Sequence, residues 1–90
     1  MSYYVYMVKN HFGRLYVGIS QNPVQRLKEH NTNRGSVFTK SGHFGVVFQE
    51  EYPTLTGARQ REIQIKKWGR DKKERLIKRF SLGLSTKINV

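Results

Sequence analysis

Five side chains of this sequence stand where ordinary packing does not call for them: Tyr6, Tyr16, Arg26, His30 and Glu62. Arg26 and His30 are four apart and stack on one helix face, which also carries Pro23 and Leu27. A two-turn helix with so few apolar residues should turn that stripe inward, drawing Arg26 toward the sheet. A half-buried guanidinium needs an anion, and in a basic chain with few carboxylates a phosphate is the natural candidate. Glu62 falls in the middle of an apolar stripe made by Leu55, Ala58, Ile65 and Gly69. Each residue also has a plain reading when taken alone: the tyrosines as core aromatics, Glu62 as the salt-bridge partner of a lysine or arginine, His30 as a surface or capping residue. Their conjunction is harder to set aside.

The elements that must position these residues follow from local pattern. Tyr3 to Lys9 is a strand rich in aromatic and β-branched residues. Tyr4, Tyr6 and Val8 take one face and Tyr3, Val5 and Met7 the other, so both faces should be covered at least in part. Asn10-His11-Phe12-Gly13 connects it to a second strand, Arg14 to Ile19, and Gly13 can supply a positive φ. Tyr16 lies on this second strand, and Gly18 marks a close approach of something bulky. Asn22 as N-cap and Pro23 as first helical residue open a helix. Thr32 to His43 reads as a polar loop carrying Arg34 and Lys40, suited to backbone phosphates or simply a surface loop. Phe44 to Tyr52 is a third strand with Val46, Phe48 and Tyr52 in alternate register, ended by Pro53. Leu55 to Trp68 is the second helix, with Gly69 at its end. Asp71 and Glu74 form a capping-box pattern opening a third helix whose apolar face is Leu76, Ile77 and Phe80.

The expected fold is therefore α/β of the α+β kind: a three-stranded antiparallel sheet flanked by helices, in the order β-β-α-β-α-α. One domain spans 1–80, and 81–90 forms an irregular tail, part of it packed back on the core. Seventeen Lys and Arg face six Asp and Glu, a net charge of +11. That excess favours a polyanionic partner, with nucleic acid first and an anionic membrane surface second. No segment combines a basic face with a broad apolar one, and no run of about 18 apolar residues offers a membrane span. The absence of cysteine excludes disulfides, thiolate metal sites and a Cys nucleophile. No signal-peptide pattern is seen, and a cytoplasmic setting is expected.

Tyr4-Val5-Tyr6 followed ten residues on by Tyr16-Val17-Gly18 resembles the paired motif of the GIY-YIG nuclease superfamily. Arg26 matches the family's helix arginine and His30 a histidine found one turn later in many members. Glu62, within Ala58-Arg59-Gln60-Arg61-Glu62-Ile63, matches the metal-binding glutamate. The likeness covers residues 3 to 80 and is closest to the small stand-alone bacterial proteins of the URI type. The first motif departs from the family in having Tyr4 where a glycine is usual. Asp71-Lys72-Lys73-Glu74 replaces a region where many members carry an asparagine.

The resemblance implies hydrolysis of a phosphodiester, DNA first, with one divalent cation, Mg²⁺ or Mn²⁺. Glu62 would hold the metal, Tyr6, Tyr16, Arg26 and His30 would be catalytic, and a protein partner would supply target choice. Physical chemistry agrees. A single carboxylate suits Mg²⁺, which keeps its waters, and Arg26 would offset charge growing on the phosphate. Tyr6 or Tyr16 would position or deprotonate the attacking water, which for a phenol near pKa 10 requires nearby positive charge. His30 would relay a proton or contact phosphate. Lys66, Lys67, Arg70, Lys72 and Lys73 cluster at the junction of the last two helices and, with Arg34 and Lys40, could track a backbone. Contact with about six phosphates would weaken binding roughly 10³-fold from 50 to 200 mM salt. Two alternatives stand beside the nuclease: a non-catalytic DNA- or RNA-binding module on the same fold, and a subunit that needs a partner for activity.

Overall fold

The structure, a computed structural model, describes residues 2–26 and 44–88. Strands β1 (Tyr3–Asn10) and β2 (Leu15–Ser20) form a hairpin, and a helix α1 opens after it, described over residues 23–26. Strand β3 (Phe44–Tyr52) is followed by α2 (Leu55–Lys67) and α3 (Arg70–Ser81). The order is β-β-α-β-α-α, and the antiparallel sheet runs β2-β1-β3 with β1 in the middle. His30, Arg34 and Lys40, and the polar loop expected over Thr32 to His43, lie outside the described residues.

One face of the sheet makes the core. Val5, Met7 and Phe48 are buried with Ala58 and Ile65 of α2 and Leu76 of α3. Helix α2 lies against β1 and β2, and α3 against β3, where Phe80 meets Phe48 edge-on at 5.8 Å. Fully burying side chains such as Met7, Phe48, Ile65 and Leu76 contributes about 1.5–3 kcal/mol each. The tail is held as well: the Arg61 guanidinium donates to the Thr86 and Ile88 carbonyls at 2.6 and 3.0 Å.

Local chemistry explains most element ends. Gly13 adopts φ 87 and closes the short connection, whose backbone bonds join Asn10 to Gly13 and Arg14. The Asn22 side chain accepts from the Gln25 amide at 3.1 Å, the expected N-cap, and Pro23 is buried as the first helical residue.

Several expectations are corrected. A bulge between Met7 and Val8 inserts an extra residue in β3, so Val46 faces Val8 while Phe48 faces Met7. Val47, rather than Val46, thus packs on the core. No capping box forms on α3: its N-cap is Gly69, without a side-chain bond, because Glu74 is taken by Arg70 at 2.7 Å and Lys9 at 3.5 Å. Gly69 has φ −70 and opens α3, and Trp68 terminates α2 in extended conformation. Leu55, in the first turn of α2, stays 43 % exposed.

Candidate active site

Tyr6, Tyr16 and Gly18 occupy one face of the hairpin, the face opposite Val5 and Met7. Tyr6 pairs with Gly18, and Tyr16 pairs with Val8 two positions along, so the two tyrosines are diagonal neighbours. Gly18 is the seat of the Tyr6 ring: a Cβ built there would lie 2.8 Å from the Tyr6 Oη and 2.9 Å from its Cζ. The bulky neighbour expected from Gly18 is therefore Tyr6. Tyr6 is half-buried, whereas Tyr16 is 46 % exposed.

Glu62 is buried in the α2 stripe, with only 9 % of its surface exposed. Its carboxylate is flanked by two cations of its own helix, Lys66 at 3.3 Å and Arg59 at 3.9 Å. The orientation of Glu62 follows from its neighbour. Arg61 is also buried and donates to both carboxylate oxygens of Glu50 on β3, at 3.0 and 3.2 Å. It donates further to Gln64 at 2.7 Å, and its guanidinium lies 5.1 Å from the centre of the Trp68 ring. Consecutive helix residues are about 100° apart, so Arg61 and Glu62 flank the Ala58–Ile65 line on opposite sides. With Arg61 tied to β3, Glu62 lies on the other side of that line, on the helix-covered face of the sheet and not on the face that carries Tyr6 and Tyr16.

Arg26 departs from expectation. It stands exposed in the first turn of α1, and Pro23 fills the inward position. A guanidinium drawn inward without a carboxylate would lose hydration with nothing to replace it, so it remains in water. Among the described residues no three His, Asp or Glu side chains converge as a metal cage. Glu62 alone fits an ion that keeps most of its water and takes one or two protein oxygens plus phosphate. The flanking Lys66 and Arg59 side chains are 56 % and 60 % exposed and can move aside at little cost.

The basic residues sort by location. Lys67 is exposed, Lys66 pairs with Glu62, Arg70 pairs with Glu74, and Lys72 stands 5.9 Å over Trp68. The α2–α3 junction reaches the turn end of the hairpin, since the Arg70 guanidinium lies 3.9 Å from where a side chain on Gly13 would begin. These cations thus gather on the helix side of the sheet rather than on the tyrosine face.

Sequence reasoning missed Arg61 and Glu50. The signal was an acid at position 50, between Phe48 and Tyr52 on the core-facing register of β3, which needed a buried cation.

Comparison with known proteins gives the family. The family model of the GIY-YIG catalytic domain matches residues 2–75. UPF0213 proteins of Staphylococcus aureus strains Mu3 and Mu50 are 41 % identical over 78 residues, covering 86 % of this chain and 95 % of theirs. A UPF0213 protein of Bacillus halodurans, solved in solution by NMR, superimposes with a TM-score of 0.57 at 30 % identity. That match covers 87 % of this chain and 84 % of the other. With residues 2–75 matched by the family model and relatives of 41 % identity spanning most of its length, the chain belongs to the GIY-YIG catalytic-domain family.

Proposed function

We propose that the protein is an endonuclease that hydrolyses nucleic-acid phosphodiester bonds, DNA first, with Mg²⁺ or Mn²⁺ held by Glu62. The observation that carries this reading is a glutamate left only 9 % exposed in the apolar stripe of α2, in a chain whose residues 2–75 match the GIY-YIG catalytic domain. When bound, the cation supplies Lewis-acid polarisation of the phosphate and stabilises charge on the leaving oxygen. The remaining roles belong to the chain. Tyr6, fixed over Gly18, and the exposed Tyr16 offer hydroxyls that orient the attacking water or take its proton. Arg26, already in solvent at the start of α1, offers a planar fork of donors to the phosphate. Lys66, displaced from Glu62, becomes available to the backbone.

The test is cleavage of labelled duplex, flap and single-stranded DNA with Mg²⁺ or Mn²⁺, using wild type and Glu62→Gln. Products from wild type that vanish in the variant and in EDTA support the nuclease. Failure of both proteins to cut, with binding of equal salt dependence, overturns it. A binding module on the same fold is the second reading. What favours it is the pairing of Glu62 with Arg59 and Lys66, which satisfies the carboxylate without a metal.

A further inference from the structure

The tip of the β1–β2 hairpin is an aromatic pair held out in water. Phe12 is 65 % exposed and stacks on the exposed His11 ring, with centroids 4.1 Å apart and planes tilted by 39°. Leaving a phenylalanine in solvent forgoes burial that the core would reward, and a turn needs no aromatic at this position.

The tip is also rigidly built. The side-chain oxygen of Asn10, itself 3 % exposed, accepts from the backbone N–H of Phe12 at 3.1 Å and of Arg14 at 2.9 Å. The Gly13 amide donates to the Asn10 carbonyl at 2.9 Å, and Gly13 takes the left-handed conformation that closes the turn. Few degrees of freedom are left for a ligand to freeze, so the rings are presented ready to stack.

The surroundings are basic. Arg14 is exposed beside the tip, Arg70 reaches to Gly13, and Lys9 lies one residue before Asn10. One carboxylate, Glu74, is shared between Arg70 and Lys9, so the three cations outnumber it. Behind them stands the basic α2–α3 junction. An exposed aromatic platform bordered by cations is the combination that holds unpaired bases: the ring stacks on a base of any identity while the cations follow the backbone.

Resting on the nucleic-acid reading above, we propose that the His11–Phe12 tip is a stacking platform for an unpaired nucleobase. The protein therefore selects bulged, flapped or single-stranded segments over perfect duplex. The tip belongs to the hairpin that carries Tyr6 and Tyr16. Phe12 precedes Tyr16 by four residues, at most about 13 Å along an extended strand, or roughly four nucleotide steps. Cleavage should fall within a few nucleotides of the unpaired base.

The test uses the full chain carrying Glu62→Gln, so that substrate survives, with and without Phe12→Ala or Phe12→Trp. Fluorescence anisotropy is read on blunt duplex, on the same duplex with one unpaired adenine, and on single strands, in DNA and RNA versions. Removing Phe12 should weaken binding to the unpaired-base ligands by roughly 5- to 150-fold, the range supplied by one base–aromatic stack. Blunt-duplex affinity and melting temperature should not change, and Phe12→Trp should restore the preference. A 2-aminopurine at the unpaired position should be quenched by the parent protein and not by Phe12→Ala. Equal loss in DNA and RNA marks recognition of the base, and loss in one alone names the sugar preferred. If blunt duplex binds with the expected salt dependence and Phe12→Ala changes nothing, the platform is overturned while the nuclease reading stands. If no nucleic acid binds at all, both fall.

Discussion

The Tyr6 ring lies across Gly18, its direct cross-strand partner, so closely that a methyl group on Gly18 would stand 2.8 Å from the Tyr6 hydroxyl oxygen. Gly18 is therefore a seat for a side chain, and its lack of a Cβ sets where one tyrosine hydroxyl stands. Gly18→Ala must push the ring aside or strain the hairpin, at a cost of about 1–3 kcal/mol. Cleavage should be lost in this variant even where the fold survives. Tyr6→Phe should keep the fold and lose only the hydroxyl. Urea denaturation beside single-turnover rates separates the two, and an active Gly18→Ala protein would argue against a role for Tyr6.

Lys66 competes with a cation for Glu62. Their pair is half-exposed on the lysine side and worth no more than about 1 kcal/mol. Lys66→Met should raise Mn²⁺ affinity by up to about fivefold, as followed by titration calorimetry, and Glu62→Gln should remove the binding. Unchanged Mn²⁺ affinity in Glu62→Gln would place the metal elsewhere.

Arg61 and Glu50 form a buried, bidentate pair that also anchors the tail. Removing one partner, as in Arg61→Met or Glu50→Leu, should cost about 3–5 kcal/mol because the other charge is left buried. The double variant should recover part of that loss. Deleting residues 86–90 removes two acceptors from the guanidinium, and a smaller loss of about 1–3 kcal/mol is expected. Denaturation midpoints at constant m-value give the comparison.

Tyr52 titrates late. Burial, then its hydrogen bond to Glu50 and the Glu50 charge, push its pKa up to about 12, partly offset by Arg61. A folded-state pKa above the unfolded value near 10 means this contribution is intact below pH 10 and is lost as pH rises toward 12. Stability of wild type should fall more steeply over that window than stability of Tyr52→Phe. Parallel curves would show that the Glu50 contact does not hold in solution.

Asn10 ties the hairpin turn through one side-chain oxygen. Asn10→Ala leaves two amides without that acceptor and should cost about 1–3 kcal/mol. Asn10→Asp keeps the acceptor and should cost less. Amide hydrogen exchange at Phe12 and Arg14 reports the difference directly.

What could be read from the sequence was what neighbouring residues dictate. The run Tyr3 to Lys9, the turn ending in Gly13, the Asn22-Pro23 helix start and the strand from Phe44 to Tyr52 depend on chemistry within a few positions. The structure repeats them with shifts of a residue at the ends. The family motif was legible for the same reason, since Tyr6, Tyr16, Arg26 and Glu62 are recognised by type and spacing. Tertiary structure decided which face each side chain serves. Both faces of β1 are apolar, so periodicity alone did not say that Val5 and Met7 make the core while Tyr6 lies over Gly18. The bulge opposite Met7 exchanged Val46 for Val47 through a pairing that local pattern does not contain. Arg26 stands exposed at the start of α1, whereas Arg61 went inside because Glu50, eleven residues earlier, and two carbonyls of the tail satisfy its guanidinium. Burial of a charge is settled by partners distant in sequence, and only the folded chain brings them together.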